Sequence, residues 1–155
     1  MSAVCLFVAG ALAASLADPA FTVAWTHSVA KTRWVESYVV VGPSLMLVEA
    51  SIEGSGAGME PPPEAVLRDG RWEWRPHRAL AELVLARSAF AQDHQLCAAS
   101  GCRALGALAG ASPDDQVVVI RACAAPPPGG NSAGGGRRSS DDTRSGNAPS
   151  LRSRK

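Results

Sequence analysis

The chain has 155 residues, 46% of them hydrophobic and 19% charged, enough for one folded domain plus tails. Residues 1–123 carry nine Lys/Arg and twelve Asp/Glu, a sum of −3, while residues 124–155 carry six Lys/Arg and two Asp, a sum of +4. Nothing in this mildly acidic folded part suggests the clustered basic face of a nucleic-acid-binding domain.

In chain order, Val4 to Leu16 (VCLFVAGALAASL) comes first and is apolar and small. It is too short to cross a bilayer as a helix, which needs about 20 apolar residues, but it suits the core of an export signal. Small residues at Ser15 and Ala17 predict cleavage after Ala17, with Ala11-Leu12-Ala13 a second option. The residues before it, Met1-Ser2-Ala3, carry no Lys or Arg, and a buried N-terminal element is the alternative. Export to the periplasm is the expectation, with residues 1–17 as signal and 18–123 as the domain. Cleavage would leave Cys97, Cys102 and Cys123. An oxidising compartment favours a Cys97–Cys102 disulfide with Cys123 as the odd thiol, and bridges from Cys123 to either partner are also open.

Phe21 to Val29 alternates with period two, placing Phe21, Val23, Trp25, His27 and Val29 on one face of a strand. Thr32 to Val41 reads as a second strand, Gly42-Pro43-Ser44 as a turn, and Leu45 to Glu53 as a third strand antiparallel to the second. Met46, Val48, Ala50 and Ile52 are expected on the apolar face of that third strand. Gly54 to Pro63 is a glycine-rich loop closed by three prolines, which end any ladder. Asp69-Gly70 marks a hairpin whose second arm carries Trp72 and Trp74 on one face. Arg78 to Phe90 has both helical and strand character. Leu96 to Leu105 is a turn region with strand ends, and Gln116 to Ala122 is a final strand. Residues 124–155 are rich in Gly, Pro, Ser and charge, and predict a disordered tail.

Two segments invite a chemical reading. His27 and Ser28 are a nucleophile–base candidate, but strand alternation sends adjacent side chains to opposite faces. No nucleophile elbow of the G-x-S-x-G type is present. His27 with another serine, such as Ser88, or with Glu36 stays open, beside a ligand-contacting His27 supported by Lys31, Arg33 and Glu36. Gly54-Ser55-Gly56-Ala57-Gly58-Met59 resembles a phosphate loop, yet Met59 stands where a dinucleotide fingerprint needs its third glycine, and Pro61 to Pro63 forbid the helix. A tight turn with positive φ at glycine is the plainer reading. His94, Cys97, Cys102 and Cys123 lack the second close pair of a zinc site, so no metal is expected. Trp25, Trp34, Trp72 and Trp74 are core or strand-pair residues, or line a ligand pocket.

WTHSVAKTRW, SIEGSGAGMEPPP, LVLARSAF and CAASGC, in this order, resemble the bacterial family 1850 of the domains of unknown function over Phe21 to Cys123. That resemblance implies a small exported β-rich protein whose gene lies beside those of tripartite, ATP-independent periplasmic (TRAP) transporters. It therefore implies an accessory role in solute uptake and favours strand for Leu83 to Arg87. Ala30 and Val35 stand where the family carries acidic residues, which leaves Glu36 without clustered carboxylates.

The expectation is an all-β domain, a small antiparallel sandwich or partly open barrel with a disordered C-terminal tail. It acts as a non-enzymatic accessory protein without cofactor, binding a transporter receptor, a permease subunit or a small solute. Nucleic acid is not a partner, and membrane contact is expected only through a partner or an uncleaved N-terminus. The expected functional surface is His27, Ser28, Lys31, Glu36, Gly54, Gly56, Gly58, Met59 and Glu60. The rivals are a hydrolase built on His27 and a purely structural β domain.

Overall fold

A computed structural model describes residues 2–54, 60–110 and 116–124. The expected tail after Ala124 and the loop residues Gly56, Gly58 and Met59 lie outside the described residues.

Of the described residues, 61% are in strands, all paired antiparallel, with almost no helix. The strands are β1 (Ser2–Val8), β2 (Ala11–Leu16), β3 (Ala20–Thr26), β4 (Arg33–Val41), β5 (Ser44–Glu53), β6 (Val66–Arg68), β7 (Arg71–Trp74), β8 (Arg78–Leu80), β9 (Leu83–Ala86), β10 (Gln95–Ala98), β11 (Gly101–Ala104) and β12 (Val117–Ala124). One short helix, α1 (Leu105–Ala109), precedes β12 and ends on Gly110 in the left-handed region. Strands β2-β1-β12-β9 form a four-stranded sheet. Strands β11-β10-β3-β4-β5-β7-β6, with β8 added on β5, form an eight-stranded one. The sheets are not closed into a barrel. Of the two architectures expected, the sandwich is the one formed, with β12 meeting β5 and β1 meeting β4 between the layers.

One core joins the layers. Val4, Leu6, Val118 and Ile120 of the small sheet pack with Phe21, Val23, Tyr38, Leu45, Leu47 and Leu96 of the large one, and Leu105 and Leu108 of α1 close an end. Each such aliphatic side chain contributes about 1.5–3 kcal/mol on full burial.

Turn chemistry explains the tight connections. Ala9 and Gly10 both have positive φ between β1 and β2, as do Asp69 and Gly70 between β6 and β7. Two consecutive left-handed residues are what a two-residue hairpin turn matched to strand twist requires. Gly42, with positive φ before Pro43, turns β4 into β5.

The structure differs from expectation at several points. The apolar residues read as an export signal form the hairpin β1–β2, with β1 paired to β12 from Ser2↔Ala124 to Val8↔Val118. Ala3, Val4 and Leu6 are fully buried in it. Cys123 is not an odd thiol but bonds to Cys5, across a sequence separation of 118. The Cys97–Cys102 disulfide is present, joining two directly opposed residues of the β10–β11 hairpin. On β5 the expected apolar face holds only in part. The partner of Ser37 is Glu49 and that of Tyr38 is Leu47, so Val48 is an inserted bulge residue. The bulge reverses the alternation: Leu45 and Leu47 are buried before it, in place of Met46 and Val48, while Ala50 and Ile52 are buried after it as expected.

Candidate functional site

The chemistry-bearing residues collect at one end of the large sheet, where β3 turns into β4. Strand β3 ends at Thr26, two residues earlier than needed to keep His27 and Ser28 in the ladder. His27 N–H donates to the Thr32 carbonyl at 2.8 Å, and Lys31 N–H donates to the His27 carbonyl at 2.9 Å. These bonds close a tight loop whose last residue, Lys31, sits at φ 55°. A left-handed lysine is strained relative to glycine or asparagine.

The predicted separation of His27 and Ser28 by strand alternation therefore does not hold. Released from the strand, both line one cleft of about 190 Å³ with Thr26, Lys31, Phe90 and Gln92. His27 Nδ1 accepts a hydrogen bond from the Ala30 backbone N–H at 3.2 Å. In the neutral ring the proton then sits on Nε2, so the free edge of the imidazole is a donor. A triad histidine has the opposite arrangement, with Nδ1–H donating to its orienting carboxylate and Nε2 free to take a proton.

A second cleft, of about 240 Å³, shares Thr26 and Gln92 with the first as wall residues; Arg33, Asp93, His94 and Gln95 are among its other walls. The segment that supplies one wall of both, residues 88–94, is anchored by Arg87. That guanidinium is buried and binds Asp93 through Nε–Oδ1 at 3.0 Å and Nη2–Oδ2 at 3.2 Å, and it also donates to the Gln116 side chain. Gly106 N–H adds a third bond to Asp93 Oδ2 at 2.7 Å. Burial works against the Asp93 charge, but the Arg87 hydrogen bonds, the Gly106 N–H and the Arg87 charge together hold its carboxyl below the usual range. No sequence motif announces this pair; Arg87 and Asp93 meet only because the loop folds back on itself.

Behind the clefts lies an aromatic ladder. Trp25 and Trp34 are cross-strand partners and stack at 5.8 Å, and Trp74 makes a T-shaped contact with Trp34 at 6.1 Å. His94 lies 5.9 Å from Trp25. Burial lowers the His94 pKa, Arg87 lowers it further, and Asp93 opposes them. All four rings share the face on which β3 and β4 carry their core residues. This unites the two expectations for the tryptophans, since Trp25 also edges the second cleft.

The remaining expected residues divide. Gly54 has φ 75°, as a turn glycine should, and stands beside Thr32, with 3.9 Å from its Cβ position to Thr32 Cγ2. The glycine-rich loop thus starts next to the His27 turn. Glu60 is exposed. Glu36 is not with His27: it lies on β4 opposite Val23 and Ala50, where its carboxylate accepts a hydrogen bond from Tyr38 Oη. Burial first, and the adjacent Glu36 second, push the Tyr38 hydroxyl well above the ordinary tyrosine range. Gln92, Gln95 and Phe90 are wall residues that the sequence reading missed. Among the described residues, no group of three or more His, Cys, Asp or Glu side chains is arranged to hold a metal ion.

No curated protein and no solved structure matches the chain. One family model does match it, over residues 21–105, the stretch that runs from the start of the β3 core through the His27 turn, the aromatic ladder and both clefts to the first residue of α1. On that match the chain belongs to the family described as Domain of unknown function (DUF1850).

Proposed function

We propose that the protein is a non-catalytic recognition module of an oxidising compartment, an accessory factor of a tripartite solute transporter that engages a small solute, the receptor or the permease through the clefts at the β3–β4 turn. The observation that carries this reading is the His27 ring, whose Nδ1 is taken by the Ala30 N–H and whose open edge donates. A donor beside an exposed serine and lysine recognises; it does not remove a proton from a nucleophile. Two disulfides among the described residues suit a compartment outside the cytosol. The transporter link rests on the family membership and on what the resemblance implies about gene neighbours.

The rival hydrolase reading needs His27 oriented by a carboxylate. Glu36, its candidate partner, is engaged by Tyr38 instead. The test is purification of the tagged full chain with the receptor and permease subunits of the neighbouring transporter. Co-purification that His27→Ala weakens, with cooperative thermal unfolding retained, is the expected result. Hydrolysis of an ester substrate that His27→Ala abolishes would replace this reading with the enzymatic one.

A further inference from the structure

The charge inventory of the two clefts is one-sided. Lys31 lines the first and Arg33 the second. Neither takes part in an ion pair among the described residues, whereas Arg71, Arg87 and Arg121 are paired with Glu53, Asp93 and Glu82. The acid in these walls, Asp93, is already consumed by Arg87 and by the Gly106 N–H. His27 adds an Nε2–H donor, Ser28 a hydroxyl, and Gln92 and Gln95 amide donors. Another cleft, of about 390 Å³, is different: Glu49, Glu64 and Glu73 outnumber Arg68 and Arg75 there. Two cations outside those ion pairs thus line neighbouring clefts with neutral donors, in a domain whose residues 1–123 sum to −3.

We propose that these neighbouring clefts bind the oxyanion group of a small solute, a carboxylate or a phosphate, between Arg33 and Lys31 with His27 Nε2–H as a neutral donor. Arg33 suits such a ligand because its planar fork matches two oxygens at once, and Lys31 supplies a point charge. Phe90, almost wholly exposed at the rim of the first cleft, leaves room for an apolar portion of the same molecule. The proposal rests on reading this end of the sheet as a recognition site, and it names the chemical class recognised.

The experiment is a two-dimensional NMR titration of the full chain with succinate, with inorganic phosphate and with uncharged succinamide. Saturable shifts confined to residues 26–33 and 92–95 are expected with one or both anions and not with succinamide. Response to succinate alone assigns the site to carboxylates, and response to phosphate alone assigns it to phosphoryl groups. Arg33→Gln is expected to weaken binding about tenfold or more, as is raised salt, while Arg68→Gln leaves it unchanged. Lys31→Gly, which suits the left-handed turn and preserves the loop, is expected to weaken it as well. Equal binding of succinamide, unaltered affinity in Arg33→Gln, or no saturable response to either anion would overturn the proposal. Anion binding lost while transporter subunits still co-purify removes the ligand class and spares the recognition reading. Anion binding retained at the clefts while co-purification fails does the reverse.

Discussion

Lys31 occupies a backbone position that glycine adopts freely, at φ 55°. A left-handed non-glycine residue costs about 1–2 kcal/mol, offset in part by the larger entropy glycine loses on folding. Lys31→Gly is therefore expected to stabilise the fold by up to about 1 kcal/mol in urea unfolding, although it removes a charge from the clefts. A loss of stability would show that the Lys31 side chain contributes packing that outweighs its backbone strain. Tyr38 offers a sharper test because the chain has 1 tyrosine. Burial and the neighbouring Glu36 carboxylate hold its hydroxyl well above the ordinary tyrosine range. The unfolded chain releases that proton first, so the contribution of Tyr38 to stability is complete below the unfolded value and declines as pH rises past it. In an alkaline titration, tyrosinate absorbance should appear together with cooperative unfolding. Tyrosinate forming in a still-folded protein would contradict the burial. At the acid end, His94 is held neutral by burial and Asp93 is held charged by Arg87. Both are lowered in the folded state, so both contribute fully above their unfolded values and lose that contribution as pH falls through them, His94 first.

Among the elements, the segment between β9 and β10 depends on one buried cation. Arg87 ties residues 88–94 to β12 through Gln116 and to α1 through the Gly106–Asp93 bond. Removing one member of a buried ion pair costs about 3–5 kcal/mol, because the other is left uncompensated. Asp93 is partly exposed, which places Arg87→Ala near the lower end, about 3 kcal/mol, read as a fall in the denaturation midpoint. Gly106 has no room for a Cβ, which would collide with the Arg87 guanidinium and the Asp93 carboxylate. Gly106→Ala should displace the pair and cost about 1–3 kcal/mol, with NMR shifts spreading into Gln92 and His94. A silent Gly106→Ala would mean that the loop is not held by this pair. Element type was legible where period two and turn chemistry agreed, as at Asp69-Gly70. The β5 bulge at Val48 was not, because an inserted residue reverses the alternation without leaving any mark in local composition.

At the scale of the whole molecule, the N-terminal hairpin and the last strand hold the small sheet together. The bond from Cys5 to Cys123 closes almost the entire domain, and a loop of that size contributes about 4–5 kcal/mol on the chain-entropy account. Against a total stability of about 5–15 kcal/mol for a domain, Cys5→Ala with Cys123→Ala should lower the urea midpoint sharply. The Cys97–Cys102 bond, with a separation of 5, should matter far less. Deletion of residues 1–17 would remove β1, β2 and Cys5 at once and is expected to leave an unfolded chain by circular dichroism. Intact-mass measurement of the purified, folded chain should accordingly find residues 1–17 retained and bridged. A folded, functional chain beginning at Asp18 would show instead that the hairpin is dispensable.

The sequence by itself determined the all-β class and the positions of most strands, and it favoured a Cys97–Cys102 bridge among open alternatives. These follow from side-chain period, turn residues and short-range spacing, all local properties. The tertiary structure decided what depends on contacts between distant segments. An apolar run suited to a signal became two strands because β12 pairs with it. Cys123 found Cys5 across the domain. His27 and Ser28 came to share a cleft because β3 stops at Thr26, while Glu36 was drawn away to Tyr38. Arg33, Gln92 and Gln95 joined His27 and Lys31 because a loop anchored by a buried Arg87 folds over the end of the sheet, and no spacing along the chain encodes that approach.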